Sequence, residues 1–317
     1  MKKTKKLFIA VIIAIIAILP FALSLYFYVR SIETQGTAFV LEDTLPQGNG
    51  QKARVVLLAG QSNAAGCSWN EYLEKNVSAE KYAEYANGYD NVYINYYSSG
   101  NNVSGGFVKA AVGQGETPNH FGPELGLAEK LHQACPDETV FIIKCAWSGT
   151  NLYSQWLSPS SEGETGNLYA DFVKYVKQNM EYLLSKGYDV KVEAMCWMQG
   201  ESDSFFTSTA LGYESNLTNF IADLRSEFSA YASHDGIAFA DAYIAANPNV
   251  WVYYDLVNSS KKAVADASTM NVVIDTNAKG LTCANEPAGS PDLAHYDALS
   301  QINLGYLFAA QVVRFFD

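Results

Sequence analysis

An unbroken apolar run ends at a glycine and a serine between residues 55 and 66, in the segment VVLLAGQSNAAG. Five apolar residues without polar alternation predict a strand that is buried on both faces. Gly60 ends the run, and only small residues follow at positions 64–66. Small side chains on both sides of Ser62 predict a sharp turn from the strand into a helix. The segment therefore favours an α/β fold with Ser62 at the edge of its sheet.

Similar apolar runs alternate with helical periodicity along the rest of the chain. The predicted strands are 54–59, 92–97, 139–146, 190–198, 237–241 and 271–275. The predicted helices are 123–133, 167–185, 210–231 and 299–316. This alternation predicts a doubly wound, three-layer α/β/α fold with a parallel sheet. Long polar loops at 98–120 and 242–262 are expected to build a substrate pocket at the strand ends.

The first thirty residues differ in character from the rest. Four lysines between positions 2 and 6 precede an uncharged apolar stretch over residues 7–29. As a helix this stretch would rise about 35 Å, enough to cross a hydrocarbon core of about 30 Å. The lysines predict a cytoplasmic N-terminus and an extracytoplasmic domain on a single-pass anchor. The alternative is a signal peptide cleaved near residues 22–24, which would make the protein secreted.

Residues 31–51 carry glycine and proline without periodicity and are predicted to form a stalk, so the folded domain is expected over 52–317. Without residues 1–30 the chain keeps 16 basic and 33 acidic side chains, a net charge of −17. Such a charge repels nucleic-acid phosphates and anionic membrane surfaces. The sequence therefore excludes nucleic acid as a partner and predicts membrane contact through the N-terminal helix.

The five cysteines form no metal or redox motif. No Cys-x-x-Cys pair is present, and an odd number cannot pair completely within one chain. A disulfide from Cys67 to another loop is the alternative to free thiols. The sequence also lacks a His-x-x-x-His motif and calcium-loop spacing. Neither a metal nor another cofactor is predicted.

Two segments far from Ser62 carry the groups that a serine nucleophile lacks. A serine hydroxyl needs a base to take its proton. Asp292 and His295 stand three residues apart before a predicted helix, so the carboxylate can accept the imidazole Nδ1–H and leave Nε2 for Ser62. The segment WMQGESD at 197–203 follows another apolar strand and offers an amide and acids. Together the three segments predict catalysis by a serine, a histidine and an acid.

These segments resemble those of the SGNH (GDSL-like) hydrolases. The similarity is greatest to the sialate O-acetylesterase-like branch, which includes the carbohydrate esterase family 6 acetylxylan esterases. It covers residues 52–317, including the segments FGPE at 121–124 and KCAWSGT at 144–150. The resemblance implies a flavodoxin-like SGNH fold and a serine esterase that removes acetyl groups from acetylxylan or O-acetylated sialic acid. Met198, where the family often has histidine, and Ser148, where it often has glycine, depart from the pattern.

The resemblance also implies roles for individual residues. Ser62 is the expected nucleophile and His295 its base, with Asp292 preferred to Glu201 as the acid. The expected oxyanion donors are Ser62, Gly122 and Gln199, with Gly149 as the alternative glycine. The residues expected to contact substrate are Gln61, Asn63, Gly149 and Thr150. Among the remaining histidines, we expect His120 at the pocket and His132 and His234 at the surface.

Two other functions use the same sequence features. Met198 and Ser148 would suit a non-catalytic glycan-binding module on the same fold. An O-acetyltransferase would pass the acetyl group from Ser62 to a sugar hydroxyl instead of water. The intact Ser62, Gln199, Asp292 and His295 favour an enzyme over the binding module.

Overall fold

The computed structural model describes residues 39, 41–233 and 236–316. The strands are β1 (Lys52–Gly60), β2 (Ser68–Trp69), β3 (Val92–Ser98), β4 (Asn102–Val103), β5 (Val108–Lys109), β6 (His120–Phe121), β7 (Thr139–Ala146), β8 (Asp189–Met198), β9 (Ala238–Ala242) and β10 (Asn271–Ile274). The helices are α1 (Ser62–Ala65), α2 (Asn70–Asn76), α3 (Ala79–Asn87), α4 (Glu124–Ala134), α5 (Asn167–Ser185), α6 (Thr207–Glu227), α7 (Tyr254–Asp266) and α8 (Ala298–Val312).

The main sheet has the strand order β10-β9-β8-β1-β7-β3-β4, with β5 also paired to β3. Its six longer strands pair in parallel, whereas β4 and β5 run antiparallel to β3. Helices lie in every connection between successive parallel strands, as parallel pairing requires a crossover. The predicted α/β fold with a mainly parallel sheet is confirmed. Because β1 lies between β7 and β8, the direction of winding changes beside β1, where ligands of such sheets commonly bind.

The strands at the centre of the sheet are buried along almost their whole length. Every residue of β1 after Lys52 and every residue of β7 is buried. Helices α5 and α6 meet through Tyr169 and Phe220, whose ring centroids are 5.9 Å apart. Phe220 also packs on Trp197 of β8, at 4.7 Å. The continuous apolar pattern of β1 thus reflects burial on both faces of the strand.

Helices α4 and α8 approach each other closely at two glycines. A Cβ atom on Gly126 would lie 2.0 Å from the carbonyl oxygen of Ile302, and one on Gly305 would lie 2.2 Å from that of Pro123. Neither position has room for a methyl group. This contact places the first turn of α8 beside the turn after β1, where Gln301 Nε2 donates to the carbonyl oxygen of Asn63 at 3.3 Å.

Part of the predicted stalk belongs to the folded domain. The Glu42 amide donates to the Gly105 carbonyl and the Gly48 amide to the Lys186 carbonyl, both at 2.7 Å. Leu45 is buried in the main core. Residues 41–51 make these contacts without regular secondary structure, so hydrophobic periodicity does not reveal them.

Three helices are not predicted by the sequence pattern. Helices α2 and α3 were not predicted, and α7 occupies part of the predicted loop 242–262. Val257 and Val264 of α7 are buried, but polar residues separate them and hide the helical period. The loop predicted at 98–120 contains a 3₁₀ turn at Ser99–Asn101 and short strands.

The predicted anchor at 1–30 and the first part of the stalk, 31–38, lie outside the described residues. Among the helices that are described, none has the length and apolar character needed to cross a membrane.

Candidate active site

Ser62 begins α1 directly after β1, where the sheet edge turns into the first helix. Gly60 has a φ of 140°, which L side chains rarely adopt. A Cβ atom at this position would also lie 1.9 Å from the Met198 carbonyl oxygen of β8. The Gln61 amide donates to that same oxygen at 2.9 Å. The turn from β1 into α1 carries Ser62 and is called the nucleophile turn below. Glycine at position 60 allows this turn to lie directly against the end of β8.

His295 and Asp292 form a hydrogen-bonded pair before α8. His295 Nδ1 lies 2.8 Å from Asp292 Oδ2, and the Ala294 amide donates to Asp292 Oδ1 at 3.0 Å. Leu293 between them has a φ of 63°, so the backbone curls tightly enough for the carboxylate to reach the ring. Burial alone would raise the pKa of Asp292, but the hydrogen bond and charge of His295 lower it. The structure therefore joins the predicted base to the preferred acid.

Cys67 lies next to this pair, although the sequence prediction considered it only for a disulfide. Its Sγ is 3.5 Å from the Ser62 carbonyl oxygen and 3.3 Å from Glu116 Oε2, and its thiol interacts with His295. Burial would lower the pKa of His295, but Cys67 and Asp292 outweigh burial and raise it. Since burial raises the pKa of the Cys67 thiol, Cys67 is neutral near pH 7. The hydrogen bond and charge of Asp292 also raise the pKa of His295, and their effect does not depend on the charge of Cys67.

His120 and Trp69 form a wall beside these groups. Burial lowers the pKa of His120, which interacts electrostatically with Glu116 and His295. The His120 ring packs on Trp69, with centroids 4.3 Å apart, and Trp69 is 44% exposed. His120 thus lies near the site, as the sequence predicted. His132 instead contacts Asn91 at the opposite end of the sheet, and His234 lies outside the described residues.

Glu201 is fully buried behind Ser62. Its Oε1 accepts a hydrogen bond from Asn63 Nδ2 at 2.8 Å, and burial raises the pKa of its carboxyl group. The carboxylate that is hydrogen-bonded to His295 is that of Asp292. The geometry therefore favours Asp292 over Glu201 as the acid that orients the base.

Two of the predicted oxyanion donors are bonded to protein oxygens. Gln199 Nε2 donates to Asp203 Oδ2 at 2.6 Å and to the Thr150 carbonyl and Gln61 Oε1, each at 3.1 Å. The Gly122 amide donates to Glu124 Oε1 at 2.7 Å. Both groups therefore bond neighbouring parts of the site to each other.

A buried lysine supports the turn that carries Ser62. Lys144 Nζ in β7 donates to the carbonyls of Ala65 and Gln114 and to Glu124 Oε2, each at 2.8 Å. Burial lowers the pKa of Lys144, opposed by the charge of Glu124. Removing one partner of such a buried ion pair typically costs about 3–5 kcal/mol. The pair therefore strongly couples the nucleophile turn to the loop that precedes α4.

Most of the residues predicted to contact substrate form the scaffold of the site. Gln61 Oε1 accepts from the amides of Gly200 and Ser202, each at 3.2 Å. Thr150 Oγ1 donates to the Trp147 carbonyl at 2.6 Å and accepts from the Trp156 ring. Gln61, Asn63 and Thr150 are all buried, whereas Gly149 is partly exposed in the loop after β7, with a φ of 71°.

All five cysteines are free thiols. No group of three or more His, Cys, Asp or Glu side chains that could hold a metal ion is found among the described residues.

A family model described as "carbohydrate esterase, sialic acid-specific acetylesterase" matches residues 52–314. The chain belongs to this family. The match includes the nucleophile turn, the 197–203 segment and the Asp292–His295 pair. The predicted family and the predicted class of enzyme, a carbohydrate acetylesterase, are thereby confirmed.

Solved structures show the same fold at low sequence identity. A protein from Arabidopsis thaliana has a TM-score of 0.60 and 19% identity, over 83% of this chain and 99% of its own. NanS has a TM-score of 0.58 and 15% identity, over 84% of this chain and 98% of its own. A carbohydrate acetylesterase from Xanthomonas citri has a TM-score of 0.51 and 14% identity, over 82% of this chain and 56% of its own. A search of curated proteins finds no match.

The raised pKa of His295 predicts the pH dependence of the reaction. Only neutral imidazole accepts a proton, so kcat/KM should rise with pH through the pKa of His295, above its ordinary value of about 6.5. Asp292→Asn removes a charge that raises this pKa, so the acidic limb should move to lower pH. We also expect kcat to fall about 10²- to 10⁴-fold, because the ring loses its orienting partner.

Profiles of rate against pH for the parent and Asp292→Asn check this prediction. Asp266→Asn serves as a control, since it changes an exposed carboxylate paired with Lys262. An acidic limb at the same pH in Asp292→Asn and the parent would contradict the assignment of Asp292.

Proposed function

We propose that this protein is a carbohydrate O-acetylesterase that works through an acetyl-enzyme on Ser62. The observation that carries the proposal is the Asp292–His295 pair, 2.8 Å apart, on a loop hydrogen-bonded to the nucleophile turn. His295 Nε2 takes the proton of Ser62 as Oγ attacks the acetyl carbonyl carbon. His295 then gives that proton to the departing sugar oxygen. Water, activated by the same ring, releases acetate and restores Ser62.

The developing oxyanion needs donors that protein acceptors do not already occupy. The side-chain amide of Gln199 and the backbone amide of Gly122 bond to buried oxygens. We therefore assign the oxyanion to the backbone amides of Ser62 and Gly149. Gly149 suits this role because its loop adjoins the nucleophile turn, where Ser148 Oγ lies 3.9 Å from Cys67 Sγ.

We propose that the complete fold is the three-layer α/β/α arrangement of the SGNH hydrolases. Burial of every residue of β7, and of every residue of β1 after Lys52, supports helices on both faces of the sheet. One layer would contain α4 and α8, which meet at Gly126 and Gly305, and the other would contain α5 and α6.

Charge near the site favours a neutral acetylated sugar as substrate. Glu116 Oε2 lies 3.3 Å from Cys67 Sγ, and both Cys67 and Asp292 interact with His295. The chain beyond residue 30 carries a net charge of −17. A neutral acetylated polysaccharide such as acetylxylan avoids the repulsion that the carboxylate of sialic acid would meet.

Ser62→Ala should abolish acetate release from acetylated xylan. The expected loss of kcat is about 10⁴- to 10⁶-fold, as for removal of other serine nucleophiles. Acetate is measured without an added sugar acceptor, which separates hydrolysis from acetyl transfer, and O-acetylated sialic acid is assayed in parallel. Ser215→Ala on the exposed face of α6 is the control. Release by Ser62→Ala at the parent rate, or none from either substrate by the folded parent, would contradict the proposal.

Trp69 provides a direct test for a sugar substrate. It follows Ser68, whose hydroxyl donates to the Tyr296 carbonyl at 2.6 Å, so its exposed ring lies at the rim beside His295. Stacking of a sugar ring on this indole should contribute a modest part of the binding. We expect Trp69→Ala to raise KM for acetylated xylan about three- to tenfold and to leave p-nitrophenyl acetate hydrolysis nearly unchanged. Equal effects on both esters would count against a sugar contact at Trp69.

We further propose that residues 1–30 anchor the protein in the cell membrane with the catalytic domain outside. The apolar stretch over 7–29 and the lysines before it support this orientation. The full chain should sediment with membranes, resist extraction by salt and alkali, and dissolve in detergent, whereas a chain starting at residue 31 should stay in solution. Protease added to intact cells should digest the domain. A soluble product whose N-terminus lies near residue 24 would instead establish a cleaved signal peptide.

A further inference from the structure

The side chain of Asn63 holds both peptide groups that flank His295. Its Nδ2 donates to the Ala294 carbonyl at 3.3 Å, and its Oδ1 accepts from the Tyr296 amide at 3.0 Å. The first of these groups belongs to the peptide that enters His295, and the second to the peptide that leaves it. Since Asn63 directly follows Ser62, one buried amide fixes the backbone of the base relative to that of the nucleophile.

Glu201 determines which way this amide faces. Nδ2 of Asn63 has two hydrogens, and Glu201 Oε1 accepts the one that points away from Ala294, at 2.8 Å. In a flipped amide, Oδ1 would face the acceptors on Glu201 and Ala294, and the NH₂ group would face the Tyr296 N–H. Asn63 and Glu201 are almost completely buried, so water does not compensate for such a mismatch.

Helix α8 supplies a further contact to the same group. Gln301 Nε2 donates weakly to Asn63 Oδ1 at 3.4 Å and to the Asn63 carbonyl at 3.3 Å. Asn63 therefore connects the nucleophile turn, the segment after β8 and the start of α8. Glu201 and Gln301 are 138 and 238 residues away from Asn63 along the sequence.

We propose that Asn63 is a positioning residue for the acetyl-transfer step and that Glu201 acts through Asn63. The inference rests on the proposed function, since it concerns the distance between Ser62 Oγ and His295 Nε2 during that reaction. A shift of about 1 Å in such a geometry can cost about 10² in rate. Glu201 serves here as a hydrogen-bond acceptor and takes no part as the acid of His295.

Asn63→Ala tests the first half of the proposal. We expect kcat for p-nitrophenyl acetate to fall about 10²-fold, with KM within about twofold of the parent. Asn91→Ala is the matched control, because Asn91 Nδ2 also joins two backbone carbonyls, of Cys135 and Glu138, at the opposite end of the sheet. Its kcat should equal that of the parent. A folded Asn63→Ala protein with the parent kcat would overturn the proposal.

Two substitutions of Glu201 test the second half. Glutamine keeps an acceptor for Asn63, so Glu201→Gln should retain most of kcat, with the acidic limb of the pH profile unmoved. Leucine has no acceptor, so Glu201→Leu should lose about as much as Asn63→Ala. The double variant Asn63→Ala/Glu201→Leu should be no slower than Asn63→Ala, because the two residues act in series. Equal losses in the Gln and Leu variants, a shifted limb in Glu201→Gln, or additive losses in the double variant would overturn the role of Glu201.

Circular dichroism and thermal melts establish that each variant is folded. If Asn63→Ala does not fold, the comparison of Glu201→Gln with Glu201→Leu decides the proposal, since only the acceptor differs in its effect on Asn63. The parent and Ser62→Ala are assayed alongside. If Ser62→Ala hydrolysed the ester as fast as the parent, the proposed function would be overturned. Ser62-dependent hydrolysis with an unchanged Asn63→Ala would overturn the positioning role alone.

Discussion

Close contact between the ends of β1 and β8 is the constraint on which the site depends. Gly60 lies so near the Met198 carbonyl that no side chain fits there, and the Gln61 amide bonds the same oxygen. The two strand ends therefore bring Ser62 and Glu201 into one neighbourhood. Gln61 strengthens this junction by accepting the Gly200 and Ser202 amides. A parallel sheet brings strand ends to one edge, but glycine at position 60 lets these two touch.

Two buried ion pairs lie around this junction. Lys144 and Glu124 support the nucleophile turn from one side. Lys261 and Asp241 form a second buried pair, with Nζ and Oδ1 2.6 Å apart, and both influence Glu201 electrostatically. Burial raises the pKa of Asp241 to about 6 despite its lysine partner. Such pairs contribute little net stability, but breaking one leaves a costly buried charge, so they specify where the surrounding loops lie.

The sequence is most informative where a function depends on residues close together in the chain. The buried strand before Ser62 and the spacing of Asp292 and His295 are local patterns, and the structure has both features. Gln199 is different, because its donors are directed by Thr150 and Asp203, which tertiary packing brings to it. The same holds for Asn63 and Glu201. A family resemblance identifies such residue types at the site, but the contacts that decide their roles join distant segments.

Two further features of the structure could not be predicted from the sequence pattern. Residues 41–51 bond to the domain through backbone groups, which leave no hydrophobic pattern. The place of Cys67 beside His295 depends on the chain turning back after α1, which its position five residues after Ser62 does not reveal. The Cys67 thiol interacts with His295, the proposed base of Ser62. Cys67 is therefore the alternative nucleophile that an experiment must distinguish from Ser62.

Identification of the acylated residue would show whether Ser62 is the nucleophile. The parent enzyme would be quenched in acid during turnover of p-nitrophenyl acetate, digested and analysed by mass spectrometry. We predict one acetyl group on Ser62 and none on the corresponding peptide of Ser62→Ala. An acetyl group on Cys67, or continued hydrolysis with no acetylated residue in a trapped sample, would contradict it.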